Sequence, residues 1–402
     1  MIKEETNFAT CLDTTNNKNY MNLFDVVIIG AGPAGSTCAL ALHNSGLKVA
    51  LVEKESYPRD KICGDAIPGN AFRAIDTLNP EWGRKLREFP DKMDIHSFKA
   101  VAPNGKAFTI PWVLFSYNSR RYNFDNFLFG LVRTETKTTI FEHQRLQQAT
   151  VTEDGVECLF QEGLHLKAKI VIGCDGAYSV VKRQLLPDAL ESRFKTIAVR
   201  AYFKNVTGME KNTNEAYFID GVNGYFWIFP LENGLANVGF GMLEKQNLKT
   251  KRPANIRKTY LEMIQSYPGI ASRFKNAEMA GDLKGYLLPF AMEKNVISGE
   301  RFMLCGDAAS LVNPLTGHGI DKAMWSGMFA ASQAAECIKT SDFTPDFMAS
   351  YDARVYKKFG PEFRKNRIIL RICMQFPWMI NHITHLGRNQ KLNIWLLRKL
   401  KI

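Results

Sequence analysis

Between Asp25 and Lys54 the chain reads DVVIIGAGPAGSTCALALHNSGLKVALVEK: a β-branched run, a glycine-rich turn, a helical stretch, a glycine stop and a second β-branched run. Val26 to Ile29 suits a strand buried on both faces. Gly30, Gly32 and Gly35 follow it at the spacing of a dinucleotide-binding fingerprint. Gly30 permits the tight turn, Gly32 lets a pyrophosphate approach the backbone at a helix N-terminus, and Gly35 lets that helix pack close to the strand. The helix runs through Ala39, Leu40 and Leu42 until Gly46 supplies a left-handed stop, and Val49 to Val52 forms the next strand. Glu53 ends that strand in position to bind ribose hydroxyls, with Lys54 beside it. Three glycines alone are a weak signal; the flanking strands and an acid roughly 20 residues on make it strong.

Length and charge bound the remainder. A chain of 402 residues, 46% hydrophobic and 23% charged, excludes disorder and a pure membrane bundle and leaves room for two domains or one large composite. The formal charge of +12 is unevenly placed: residues 351 to 402 hold 12 Lys/Arg against 2 Asp/Glu. That segment also carries Ile368, Ile369, Leu370, Ile372, Met374, Phe376, Trp378, Met379 and Ile380. The combination suits an amphipathic surface against anionic lipid better than nucleic acid. It also fits a helix that packs its apolar side on the body and leaves a basic face in water. Arg371, Pro377, Asn381 and His382 break the best candidate for a membrane span, so a soluble protein, at most peripheral at a membrane, is expected. Residues 1 to 21 read as a disordered polar tail and not as a signal peptide. Eight cysteines without a Cys-x-x-Cys pair fit a reducing cytoplasm, with neither disulfide nor metal site expected.

Along the chain, residues 95 to 110 read as a hairpin around Asn104 and Gly105, within a substrate-side excursion near 75–118 from the first domain. SRRYNFDNFLFGLVRTET reads as a helix, and short strands follow near 138–141, 146–152, 155–160 and 164–172. From about 188 to 295 longer alternating strands and one helix, Ala254 to Ser266, indicate a second, sheet-based domain. RFMLCGDAASLVNPLTGHGIDKAMW then returns to the first domain as strand, loop and a helix opening at Ile320. The expected class is α/β: a discontinuous Rossmann-like domain over 22–187 and 296–345, an inserted antiparallel-sheet domain over 188–295, and a basic C-terminal helical segment over 346–402.

Two further motifs carry chemistry. CDGAYS places Asp175 and Gly176 at a turn, a feature that either touches a bound dinucleotide or only closes the sheet. GDAASLVNPLTGHGI delivers Asp307 from a strand, and Pro314, Gly317 and Gly319 shape a loop ahead of the helix at Ile320. A carboxylate there can hold a ribityl hydroxyl, and a helix N-terminus can stabilise a reduced flavin ring.

The order GAGPAG, PRDKICGD, RxxFD from Arg121 to Asp125, CDGAYSVVK, YFWIFP and GDAASLVNPLTGHGI resembles the geranylgeranyl reductase family of FAD-dependent oxidoreductases, within the group sharing the p-hydroxybenzoate hydroxylase fold. The likeness spans roughly residues 22 to 345; PRxKxCG and YxWxFP point to the reductases, and the other motifs to the wider group. It implies that Ala34, Gly35, Glu53, Gly64, Arg121, Asp307, Gly319 and Ile320 contact FAD, and that Tyr225 and Trp227 line an apolar tunnel beside the flavin. Alternation puts Tyr225, Trp227 and Phe229 on one face, although aromatics in a strand also serve as plain core. Cys63, close in sequence to Arg59 and Lys61, is either a buried inert thiol or a residue bordering the reacting carbon. His318 stands where relatives often carry Glu or Gln, and Lys182 where the wider group usually has Arg.

The reaction implied is saturation of isolated double bonds in a polyprenyl lipid or prenylated compound, with NAD(P)H or another reductant as electron source, since no second GxGxxG identifies one. Competing readings are a monooxygenase of the same fold acting on an aromatic or quinone-like substrate, a flavin halogenase, whose WxWxIP signature YFWIFP echoes only in part, and a redox-inactive prenyl-lipid escort protein. The intact set of Gly30, Glu53, Arg121 and Asp307 argues against the last.

Overall fold

The computed structural model describes residues 22–187, 194–220, 222, 224–245, 255–376 and 378–381, so the expected N-terminal tail and the last part of the basic segment lie outside the described residues. Two sheets organise the chain. The first has the strand Asn22–Ile29 near its centre, with Val49–Val52 and then Thr139–Phe141 on one side and His165–Gly173 and then Phe302–Leu304 on the other. All of these neighbours are parallel. Val26, Val27 and Ile28 are wholly buried, as a strand covered on both faces requires. The antiparallel pair Leu146–Thr152 and Gly155–Phe160 joins the sheet through His165–Gly173.

Gly30 turns the chain with φ +99°, and Gly35 brings the helix Pro33–Ala41 against it: a Cβ on Gly35 would stand 1.8 Å from the Gly30 carbonyl oxygen. The helix Ile320–Thr340 crosses the same helix closely, because a Cβ on Gly327 would meet the Ala34 carbonyl oxygen at 2.2 Å. Both helices therefore begin beside the C-terminal ends of the parallel strands, where open α/β sheets bind ligands.

The second sheet runs in the order 278–287, 194–204, 235–245, 224–230, 213–218, 93–101, 107–118, 66–67. Its pairs are antiparallel except Thr213–Tyr217 with Ser97–Val101. The sheet is thus not made from residues 188–295 alone. The hairpin around Asn104 and Gly105, and Ala66–Ile67 before it, complete it through a pairing that spans more than a hundred residues and leaves no local trace in the sequence. The outer face is core: Phe226, Ile228, Val238 and Phe240 pack with Tyr260 and Met263 of the helix Ile256–Ser266. The inner face looks toward the first sheet.

The C-terminal helix Pro345–Gln375 revises the expected division at 345/346. Its first half buries Met348, Tyr351, Val355, Phe359 and Phe363 in the core of the nucleotide-binding half, and Tyr351 donates to the Leu304 carbonyl at 2.6 Å. Only the far end has the amphipathic character read from the sequence, with Ile368, Ile372, Phe376 and Trp378 exposed. Among the described residues no helix is long and apolar enough to cross a membrane.

Candidate active site

One cavity of about 2180 Å³ runs between the two sheets and reaches the C-terminal helix. Every site residue singled out from the sequence lines it except Gly35, which stands behind the wall and sets the distance between helix and strand.

At the nucleotide end, Glu53 is buried and its Oε2 accepts the Ala31 N–H at 2.8 Å, while Oε1 accepts that of Glu55 at 3.2 Å. Each oxygen keeps a lone pair for a hydroxyl. A Cβ on Gly32 would meet only Arg59 Nη2, at 3.5 Å, so the backbone there is open to the cavity. Gly32 and Gly319 are the N-caps of the helices Pro33–Ala41 and Ile320–Thr340, and neither helix start has a side-chain cap. Two uncapped helix N-termini on one cavity wall form a cradle for negative charge. Asp175 accepts the Val180 and Val181 N–H groups through Oδ2, but its buried Oδ1 has no partner. Burial raises its pKa above the ordinary aspartate value. These open donors and orphan acceptors fit FAD.

Asp307 carries Lys61 at 3.1 Å. Burial opposes the charge on Lys61, and the Asp307 carboxylate outweighs it, so the ammonium stays protonated. Arg121 forks onto Asp125 at 2.6 and 2.7 Å, and Arg59 meets the same carboxylate at 2.9 Å. Burial again opposes the Arg121 charge, and the Asp125 carboxylate outweighs it and holds the guanidinium protonated. The helix spacing of Arg121 and Asp125 is a signal that the sequence reading used for the arginine alone.

Cys63 faces this charged group on one side and the aromatic strand on the other. Tyr225, Trp227 and Phe229 line the cavity with ring centres about 6 Å apart along the strand, 6.0 Å and 6.1 Å for successive pairs. Tyr225 donates to the Thr316 carbonyl at 3.2 Å, which ties the aromatic face to the loop before Ile320. Burial pushes its phenol up to about 12. His318 also lines the cavity, and burial lowers its pKa, favouring the neutral ring.

The cluster that the sequence did not disclose is Asp65, Tyr202 and Asn237. Asn237 accepts the Trp227 Nε1–H at 2.9 Å and donates to both the Cys63 carbonyl and Asp65 Oδ2 at 2.8 Å. Tyr202 donates to the same Asp65 oxygen at 2.8 Å. The Cys63 loop and the aromatic strand are thereby fixed to each other. Burial raises the Asp65 pKa to about 6, against the pull of Arg200, Asn237 and Tyr202. With the folded value above the unfolded one, this group favours the folded state at low pH, and that contribution is lost as pH rises through 6. Asp65→Asn, which cannot titrate, should therefore gain about 1–2 kcal/mol of stability relative to wild type between pH 5 and pH 7.5. Urea unfolding at the two pH values checks this; a difference independent of pH would remove the assignment.

Comparison with known proteins agrees with this geometry. A family model described as FAD binding domain matches residues 25–61, and one described as geranylgeranyl reductase catalytic domain matches residues 195–279. The digeranylgeranylglycerophospholipid reductase 2 of Methanopyrus kandleri is 30% identical over 355 residues, covering 85% of this chain and 84% of its own length. The 1H-pyrrole-2-carbonyl-(peptidyl-carrier protein) brominase of Pseudoalteromonas luteoviolacea is 27% identical, with 82% and 81% covered. Among solved structures, a geranylgeranyl bacteriochlorophyll reductase-like protein from Thermoplasma acidophilum superposes with a TM-score of 0.79 at 21% identity, covering 94% of this chain and 96% of that one, a likeness of fold. With the reductase match extending over most of both chains, and the FAD cradle and aromatic strand opening on one cavity, this chain belongs to the FAD-dependent geranylgeranyl reductase family.

Proposed function

We propose that the chain reduces isolated C=C bonds of a polyprenyl lipid or prenylated compound. The observation that carries this reading is the continuity of one cavity: the nucleotide cradle, the aromatic strand face and an apolar stretch of the C-terminal helix, including Ile369, Leu370 and Met374, share a single space. A long apolar chain fits such a space, and a small polar substrate does not need it.

In this reading Glu53 and Lys54 hold the adenosine end of FAD, and Gly30, Gly32 and Ala34 admit the pyrophosphate to the helix start at Pro33. Asp175, Asp307, Gly317, Gly319 and Ile320 receive the ribityl and ring portions, with Gly64 and Arg121 opposite. When bound and reduced, FAD supplies the hydride. Tyr225, Trp227 and Phe229 exclude water and align the alkene. An isolated alkene accepts hydride poorly, so proton delivery to the other carbon must occur in this dry pocket, where fixed charges act most strongly. Cys63 borders the reacting carbon, held there through its carbonyl by Asn237.

The test is anaerobic: reduce the flavoprotein, add a geranylgeranylated lipid, and follow flavin reoxidation and product mass. Reoxidation without oxygen, with two hydrogens gained per event, is expected. Reoxidation only on admitting air, with oxygen entering an aromatic compound, would replace this reading with the monooxygenase.

We further propose that the protein meets its lipid at a membrane surface through the end of the C-terminal helix. On that stretch Ile369, Cys373 and Met374 line the cavity while Ile368, Ile372 and Phe376 point outward, among the basic residues Arg364, Arg367 and Arg371. An exposed apolar stripe flanked by arginines suits an anionic bilayer. Ile372→Glu combined with Phe376→Glu should abolish co-flotation with vesicles containing anionic phospholipid; undiminished flotation would rule this stripe out.

A further inference from the structure

The cavity wall contributed by the helix Pro345–Gln375 changes character along its length. Lys358, Glu362, Lys365 and Asn366 come first, and Ile369, Leu370, Cys373 and Met374 follow. Polar side chains on an otherwise apolar wall require an account. Part of the group is internally satisfied: Lys322 takes both nearby carboxylates, Asp321 at 2.9 Å and Glu362 at 3.1 Å, and Asn313 donates to Glu362 at 2.5 Å. Lys358, Lys365 and Arg73 then have no acid within ion-pair distance among the described residues.

Lys358 and Lys365 line the cavity, and Arg73, outside its lining, is close enough to Lys358 to act on its charge. Lys358 Nζ sits 3.5 Å above the centre of the Trp325 ring, and Trp325 Nε1–H donates to the Asn70 carbonyl at 3.2 Å. Asn70 belongs to the first turn of the helix Gly69–Leu78, whose N-terminus has no side-chain cap, and its Oδ1 accepts from Arg73 at 3.5 Å. Pro68, Gly69 and Asn70 line the same cavity as Lys358 and Lys365. Lys365 lies two turns beyond Lys358, about 10 Å along the axis, a span that two extended lysines close around a phosphate or diphosphate. Desolvation lowers the Lys358 pKa and outweighs the opposing pull of Asp321, with Arg73 and Lys322 adding to the lowering.

We infer that Lys358 and Lys365, with nearby Arg73 and the N-terminus of the helix Gly69–Leu78, bind the phosphate of a phosphorylated polyprenyl lipid while its chain lies along the apolar part of the cavity. This rests on the prenyl-lipid reading above and adds to it the polar end of the substrate. Lysine ammoniums suit phosphate as point charges, and an uncapped helix start adds N–H donors. The residues of this site are distinct from those of the cradle at Gly32 and Gly319.

The test is a titration of oxidised, FAD-loaded full-length protein with geranylgeranyl monophosphate and with geranylgeraniol, for wild type and for Lys358→Gln combined with Lys365→Gln. Wild type should bind the phosphate at least tenfold more tightly than the alcohol, and the double variant should bring that ratio close to one with flavin content retained. A preference that survives in the double variant, or none in wild type, overturns the site while leaving the reductase reading intact. Conversely, a lost preference in a protein that reduces no prenyl substrate upholds the anion site and removes the reductase reading. Inorganic phosphate competing as strongly as the lipid phosphate would make the ligand a free anion and overturn the lipid assignment.

Discussion

Gly32→Ala should give a folded but colourless protein, and Gly35→Ala a protein whose nucleotide-binding half does not hold together. The two residues lie in one turn, and the difference comes from what a single methyl would meet. At Gly35 it would stand 1.8 Å from the Gly30 carbonyl oxygen and 3.0 Å from its carbon, backbone atoms of a turn already fixed by φ +99°. The helix Pro33–Ala41 would have to lift from the strand Asn22–Ile29, and with it the crossing at Gly327. Overpacking of this kind costs about 3 kcal/mol or more, a large share of a typical folding free energy. At Gly32 the methyl would meet only Arg59 Nη2 at 3.5 Å, and φ −65° is comfortable for alanine. Its stability without FAD should stay within about 0.5 kcal/mol of wild type. On the proposed placement of FAD, the methyl would occupy the space through which the pyrophosphate approaches the helix start, so FAD affinity should fall at least tenfold. Flavin absorbance per protein and urea unfolding of the FAD-free proteins read both effects. Full flavin in Gly32→Ala would mean that the dinucleotide lies elsewhere.

What the sequence makes legible follows from the range of the interactions involved. The turn at Gly30, the strands near 139–141, 146–152, 155–160 and 165–173, and the helix opening at Ile320 each depend on residues close in the chain, so local pattern discloses them. The alternation of Tyr225, Trp227 and Phe229 likewise forces a shared face, and all three line the cavity. The completion of the second sheet by 93–118 depends instead on a parallel pairing between distant segments. The C-terminal helix reads as basic and amphipathic because its charges outnumber its buried residues; which of its faces meets the core is decided by Leu304, Tyr351 and their neighbours, far apart in sequence. Asp65 and Asn237 are the hardest case. Each is an ordinary polar residue locally, and their significance arises from a bond between positions 172 residues apart.

That same pair supplies the second large effect, a separation of chemistry from positioning at Cys63. Cys63→Ala removes a half-buried thiol from the cavity wall without touching the backbone bond to Asn237, so the protein should remain yellow and close to wild-type stability. If Cys63 takes part in proton delivery, turnover should slow on the order of a hundredfold. Asn237→Leu leaves the thiol in place but strands three buried groups: the Cys63 carbonyl, the Trp227 Nε1–H and one acceptor position of Asp65. Each unsatisfied group costs about 1–3 kcal/mol, and partial rearrangement leaves a net loss of about 3 kcal/mol. Turnover should fall as well, because the Cys63 loop and the aromatic strand lose their common anchor. The discriminating readout is the product pattern: a displaced Trp227 lets the substrate sit in more than one register, so Asn237→Leu should scatter the positions reduced along the chain, whereas Cys63→Ala should slow reduction at unchanged positions. Full activity in Cys63→Ala would make the thiol structural, and unchanged stability in Asn237→Leu would show that the two walls of the cavity are held together by something other than this amide.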